Sequence, residues 1–215
     1  MNIRKVIDLD ALREEEEINN KNNEYYRYLR NHISGVRRSF EQLFKNPNLS
    51  RFLYDGYKFK TFTFEELDKA IDKAESIIPL HDESKYSDEE FYGYRHHFYP
   101  TEKEKASDTY KEEDDKVFGD AVFHHYINNK HHSEYWCKRD KDNNFIPDKD
   151  IPLEYILEMM SDWGSMSVFK HSDMKDWWIN HADEEKSHMT EKTISIINEL
   201  VFDILPYLGI DYIKL

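Results

Sequence analysis

From Tyr25 onward the chain repeats apolar, aromatic or histidine side chains at every third or fourth position: Tyr25, Leu29, His32, Val36, Phe40 and Leu43. Such spacing lines one face of an α-helix and does not suit a strand, whose faces alternate residue by residue. A second stripe follows at Leu67, Ala70, Ile71, Ala74, Ile77 and Ile78, with Thr63 placed to cap it and Glu66 to complete a capping box. Six glycines and six prolines in 215 residues are few for the turns of a barrel or sandwich and suit long helices. Helical stretches are also expected in "KVFGDAVFHHYINNKHH", "LEYILEMMSDWGSMSVF", "DMKDWWINHADEEKSH" and "TEKTISIINELVFDILPYL". The expected fold is all-α.

Residues 1–24 read as a polar lead-in and 25–215 as one helical domain. The aperiodic, highly charged "TEKEKASDTYKEEDD" (101–115) reads as a mobile loop, and "CKRDKDNNFIPDKDIP" as a turn-rich connection. A formal charge of -14 repels the phosphate backbone of long nucleic acids, which excludes a nucleic-acid-binding module. Small phosphorylated ligands remain compatible, because bound divalent cations reverse the local field. A lone Cys137 rules out an internal disulfide framework. The opening carries no apolar core of signal-peptide length, and no later run is long enough to cross a bilayer. A cytoplasmic protein is expected, its oligomeric state left open.

Chemistry concentrates in the eleven histidines. His32 lies in the first apolar stripe, and His81 and Asp82 directly follow the second. His124, His125, His131 and His132 crowd one segment, and Asp162 interrupts an apolar run. Any one of these alone is more often a hydrogen-bonded core residue. Together they form the nitrogen and oxygen donor set that borderline divalent metals prefer, and a helical bundle can project such groups onto one interior point. His125 and His132 are two helical turns apart and share a face with Phe118 and Val122, so His125 is favoured over His124. His131 contributes if the helix ends near Asn128-Asn129. His96-His97, His171, His181 and His188 read as surface or satisfied residues, and Trp163 as core. Lys85, read by itself, is an exposed lysine facing Asp88 or Glu89.

The order His32, His81-Asp82, Asp162 resembles the H…HD…D signature of the HD-domain superfamily of metal-dependent phosphohydrolases. Lys85 matches the HDxxK form of that motif, and His125 with His131-His132 resembles the elaboration found in members with two or three metals. More closely, "HDESKYSDEEFYGY", "HHYINNKHHSEYW" and "EMMSDWGSMS" are similar to DUF5662, a family of small bacterial and phage proteins of unknown function, over about residues 28–190. After His131-His132 the chain reads "SEYW" and lacks the DGxGYP loop, so cyclic dinucleotide hydrolysis is not implied.

The resemblance implies an HD-domain-like helical bundle. In it His32, His81, Asp82 and Asp162 hold one divalent ion, and Asp82 bridges to a second completed by His125 and by His131 or His132. Mn, Fe, Co, Ni and Zn all accept such ligands. The implied activity is hydrolysis of a small phosphate ester, nucleotides being the commonest substrate class, by a water activated between the cations. Asp82 and Lys85 carry the catalytic roles, Lys85 stabilising phosphoryl charge or orienting that water. The same donors serve HD-fold di-iron oxygenases, and an acidic, non-catalytic binding protein is a further alternative.

Overall fold

Both apolar stripes fold as their spacing predicts. In the computed structural model, which describes residues 9–45, 48–49, 51–170 and 173–209, the first forms part of helix α1 (Leu9–Phe44). Tyr25, Leu29, His32, Val36, Phe40 and Leu43 are all buried on it. The second forms α3 (Phe64–Ile77), preceded by the short α2 (Arg51–Asp55). Thr63 Oγ1 accepts the Glu66 N–H at 3.2 Å while the Glu66 carboxylate accepts the Thr63 N–H at 2.7 Å, the expected reciprocal cap. The later helices are α4 (Asp88–Phe98), α5 (Glu102–Lys105), α6 (Tyr110–Asn128), α7 (Leu153–Lys170), α8 (Met174–Asn180), α9 (Asp183–Ser187) and α10 (Glu191–Glu199).

Two segments differ from the expectation. The stretch 101–115 is helical over α5 and again from Tyr110. Thr101 and Glu104 form a second capping box, and Lys111 pairs with Asp115 one turn on at 2.9 Å, so local capping and charge pairing supply what apolar periodicity does not. The turn-rich connection contains a two-stranded antiparallel ribbon, β1 (Cys137–Arg139) with β2 (Phe145–Pro147), Lys138 facing Ile146. Asp140 Oδ1 accepts the N–H groups of Asp142 and Asn144, and Asn143 takes the left-handed conformation (φ 68°) that reverses the chain. Residues 1–8 of the polar lead-in and His171 lie outside the described residues.

The chain forms two compact units interleaved in sequence. The first comprises the described residues up to Asn31 with Ser84–His125. Its core is Tyr25, Leu29, Tyr94 and Ala121, walled by Tyr28, Phe91, Tyr99 and Phe118. Gly93 is required there: a Cβ would stand 2.3 Å from Val117 O and 2.6 Å from Ala121 Cβ, so only glycine lets α4 approach α6 this closely. Arg95 donates two parallel hydrogen bonds to Glu104, at 2.6 and 2.7 Å, tying α4 to α5.

The second unit comprises His32–Glu83 and the described residues from Tyr126 on. Its core joins Val36, Phe40 and Leu43 of α1 to Leu67, Ala70 and Ala74 of α3, to Ile156, Leu157 and Met160 of α7, and to Trp178, Ile197 and Leu200. Each fully buried aliphatic of this kind contributes about 1.5–3 kcal/mol. Trp178 donates its indole N–H to Asn198 at 2.8 Å, so its polar edge is satisfied within that core. Buried Glu199 accepts the Lys60 and Thr61 N–H groups at 2.7 Å each, fixing the chain that leads into α3.

Candidate metal centre

The second unit holds the residues that converge. His32 comes from the apolar face of α1. His81 and Asp82 follow α3 and the 3₁₀ turn Ile78–Leu80. Asp82 has φ 59°, a left-handed backbone that costs a non-glycine residue energy and that Asp tolerates better than most. That reversal lets two sequence neighbours point into one space. Asp162 projects from α7, and His131 lies in the turn between the end of α6 at Asn128 and the 3₁₀ helix Ser133–Trp136.

All four sequence-predicted residues of the first ion meet here, with His131 added. His32 Nε2 lies 3.2 Å from Asp82 Oδ2 and 3.3 Å from Asp162 Oδ1. His81 Nε2 lies 3.6 Å from Asp82 Oδ1 and 3.9 Å from Asp162 Oδ1. His131 Nε2 lies 3.5 Å from Asp82 Oδ1. Donor atoms around one ion at about 2.1 Å stand about 3.0–3.4 Å apart by octahedral or tetrahedral geometry, close to these separations. Side-chain exposure is 4 % for His32, 0 % for His81, 1 % for Asp82 and 3 % for His131, against 19 % for Asp162, so the cluster opens toward solvent on the Asp162 side.

Glu158 sets the direction of two rings. Its Oε1 lies 3.0 Å from His81 Nδ1 and 3.3 Å from His131 Nδ1, which turns both Nε2 atoms inward. Sequence reasoning missed it, although Glu158 stands one helical turn before Asp162 on α7 and that spacing puts both carboxylates on one face. Burial works against charge on His81, but Asp82, Glu158 and Asp162 outweigh it and raise its pKa to about 9. His131 shifts downward, through burial and the neighbouring His81. Burial opposes charge on Glu158 too, yet its bonds to His131 and His81 hold its carboxyl at about 2. The metal-free cluster thus attracts a proton to the place where a cation would sit.

The residues fit a divalent cation. His32, His81 and Asp162 offer ligand atoms within 4.8 Å of one another, as do His81, Asp82 and His131, and the solvent-shielded His81 Nε2 and Asp162 Oδ1 make no hydrogen bond. An ordinary buried polar network satisfies such atoms.

The other predicted residues have their own settings. His132, half-buried, packs at a tilt against Tyr126 and His131, with ring centroids 4.7 and 4.4 Å away. Helix α6 ends before His131 and His132, so the two-turn relation expected between His125 and His132 does not hold. His125 and Lys85 belong to the first unit. There Glu90, fully buried, lies 2.8 Å from Nδ1 of both His124 and His125, and Lys85 Nζ stands 5.1 Å from the Tyr94 ring centre. Burial raises the pKa of Glu90, but His125 and His124 outweigh it and hold it low. His96 and His97 are satisfied by Asp114 at 3.1 and 2.8 Å, His188 faces Glu134, and His181 is exposed. Trp163 packs against the core of the second unit.

No helix among the described residues is long and apolar enough to cross a membrane. Neither the curated proteins nor the solved structures contain a match to this chain. A family model does match, over residues 21–203, which takes in every residue of the cluster: the chain belongs to DUF5662, a family of unknown function.

Proposed function

We propose that this protein is an HD-domain-like metalloenzyme that hydrolyses a small phosphate ester, a nucleotide being the leading class. The observation that carries the reading is the approach of three imidazole Nε2 atoms to the carboxylates of Asp82 and Asp162 within 3.2–3.9 Å. His32, His81, His131, Asp82 and Asp162 would hold divalent metal. A divalent cation bound there supplies Lewis acidity toward a phosphoryl oxygen and lowers the pKa of a water.

The chain's own groups do the rest. Glu158 keeps His81 and His131 in the tautomer and ring orientation that present Nε2 inward. Asp82 divides its two oxygens between His32 and the His81–His131 pair, so one carboxylate anchors both sides of the cluster. Lys85, three residues after Asp82, matches the HDxxK spacing and by that resemblance would supply positive charge for the phosphoryl oxygens. The spacing of "HDESK" and the mixed nitrogen–oxygen donor set support hydrolysis over simple ion storage.

The test is a metal-loaded preparation screened on nucleotides and generic phosphomonoesters. Turnover that disappears with chelation and returns with one of Mn, Fe, Co, Ni or Zn is the expected result. Iron-dependent O₂ uptake without phosphate release would move the protein to the oxygenase class. Tight nucleotide binding without turnover would make it a binding protein.

A further inference from the structure

The second unit also carries a cleft of about 380 Å³, a size that takes a small organic molecule. Four segments build it: the approach to α3 at Thr61 and Phe62, α3 itself, residues 150–154 at the start of α7, and α10. None of His32, His81, Asp82, His131 or Asp162 lines it. Glu154 of the cleft and Asp162 of the cluster both stand on α7, about 12 Å apart along the helix axis. The cleft and the cluster are separate places.

The floor of the cleft is apolar. Phe62, Ala70, Ile151 and Ile196 line it, and all four belong to the core of the unit. Two of its walls are pinned from behind. Thr61 donates its N–H to buried Glu199 at 2.7 Å, and Ile151 donates its own to Thr193 Oγ1 at 3.0 Å. A cleft whose walls are already fixed does not have to be ordered by its ligand, which lowers the cost of binding.

Six charged side chains stand around that floor, three of each sign: Lys69, Lys73 and Lys192 with Glu66, Asp150 and Glu154. Four of them are matched, Lys73 with Glu154 at 3.1 Å and Lys192 with Asp150 at 3.0 Å. The Glu66 carboxylate is engaged by the Thr63 N–H at 2.7 Å, in the cap of α3. Lys69 is left over: it makes no ion pair or hydrogen bond among the described residues. In a chain with a formal charge of -14, where acids far outnumber bases, an ammonium without a carboxylate sits beside an apolar recess.

We infer that this cleft binds a small amphipathic anion. Its apolar ring or branched chain covers Phe62, Ala70, Ile151 and Ile196, and its acidic group pairs with Lys69. Neither existing ion pair has to break for it to enter. The cleft needs no metal and no hydrolysis, so it stands or falls apart from the reading above.

The probe is naphthalene-1-sulfonate, titrated into the full ¹⁵N-labelled chain. Saturable shifts of the Phe62, Ala70, Ile151, Leu153 and Ile196 backbone amides are expected, half-complete at about 1 mM or below. Naphthalene-1-methanol, which has the same rings and no charge, should bind about 3–5-fold more weakly, the scale of one exposed ion pair. Lys69→Gln should weaken the sulfonate by that factor and leave the alcohol unaffected. Lys111→Gln removes an exposed, paired lysine of the first unit and changes the net charge equally, so it should alter neither.

Shifts scattered over the surface, or none that saturate below about 10 mM, would overturn the site. Equal affinity for sulfonate and alcohol, or a Lys69→Gln chain that binds the sulfonate as well as Lys111→Gln does, would overturn the anion.

Discussion

The two units each contain a buried carboxylate that holds two imidazoles by their Nδ1 atoms, with different outcomes. In the second, Glu158 holds His81 and His131 at 3.0 and 3.3 Å. In the first, Asp114 holds the neighbours His96 and His97 at 3.1 and 2.8 Å. The clamp is chemically the same, and in both it fixes which nitrogen points away from the acid. What the free side of each ring meets is different. His97 stacks flat on Phe118, with centroids 3.8 Å apart and planes 5° from parallel, and His96 lies 5.0 Å from the Tyr110 ring. His81 and His131 instead face Asp82, with Asp162 and a third imidazole beside them. A clamped histidine pair is therefore a structural device until further acids meet its Nε2 atoms.

The comparison breaks most visibly at its two aspartates. Asp82→Asn, which keeps a residue tolerant of the left-handed backbone, should reduce bound metal to background while leaving the helical far-UV signal near that of wild type. Asp114→Asn should leave metal content unchanged and cost about 1–3 kcal/mol of stability, the price of a buried imidazole losing its acceptor. Metal loss from the Asp114 variant would erase the distinction.

A smaller effect concerns a carboxyl with no imidazole beside it. Burial, and then the nearby Glu134, push the pKa of Glu185 up to about 7, against 4.5 for an unfolded glutamate. The native chain binds more protons between those values, so stability falls as pH rises across that window, by about 3 kcal/mol from this residue. Glu185→Gln should flatten that part of a denaturation series taken from pH 4.5 to 7. An unaltered slope would show that Glu185 is already ionised.

Glu158→Gln sharpens the comparison from the clamp side. It keeps the shape but loses the charge that orients two rings, and metal affinity should fall by about 10–100-fold by competition titration. Smaller still, Lys85→Ala should retain metal and lose about 10-fold in turnover, the scale expected for one charge near a phosphoryl oxygen. An unchanged rate would remove Lys85 from the mechanism.

Much of this was legible in the chain because two kinds of pattern are local. The stripe from Tyr25 to Leu43 and the Thr63–Glu66 cap both follow from spacing alone, and His32, His81, Asp82 and Asp162 stood out as polar groups on or beside apolar faces. Helix α5 and the ribbon escaped because capping boxes and Asx turns build short elements without apolar periodicity. His131 and His132 were indistinguishable in sequence. The end of α6 at Asn128 and the turn that follows give them different settings, burying His131 to 3 % exposure and leaving His132 half-buried. Glu158 was hidden for a different reason: its role lies in what it touches across the fold, and acidic residues in a chain of this charge carry no mark of burial.

The central claim is that His32, the His81-Asp82 pair, His131 and Asp162, brought together from distant parts of the chain, hold divalent metal. Elemental analysis of purified wild-type protein beside Asp82→Asn, each saturated with Mn, Fe, Co, Ni or Zn and then desalted, measures it directly. The account predicts at least one ion per wild-type chain and none above background in the variant. A wild-type chain that retains no ion, or a variant that retains as many, would contradict it.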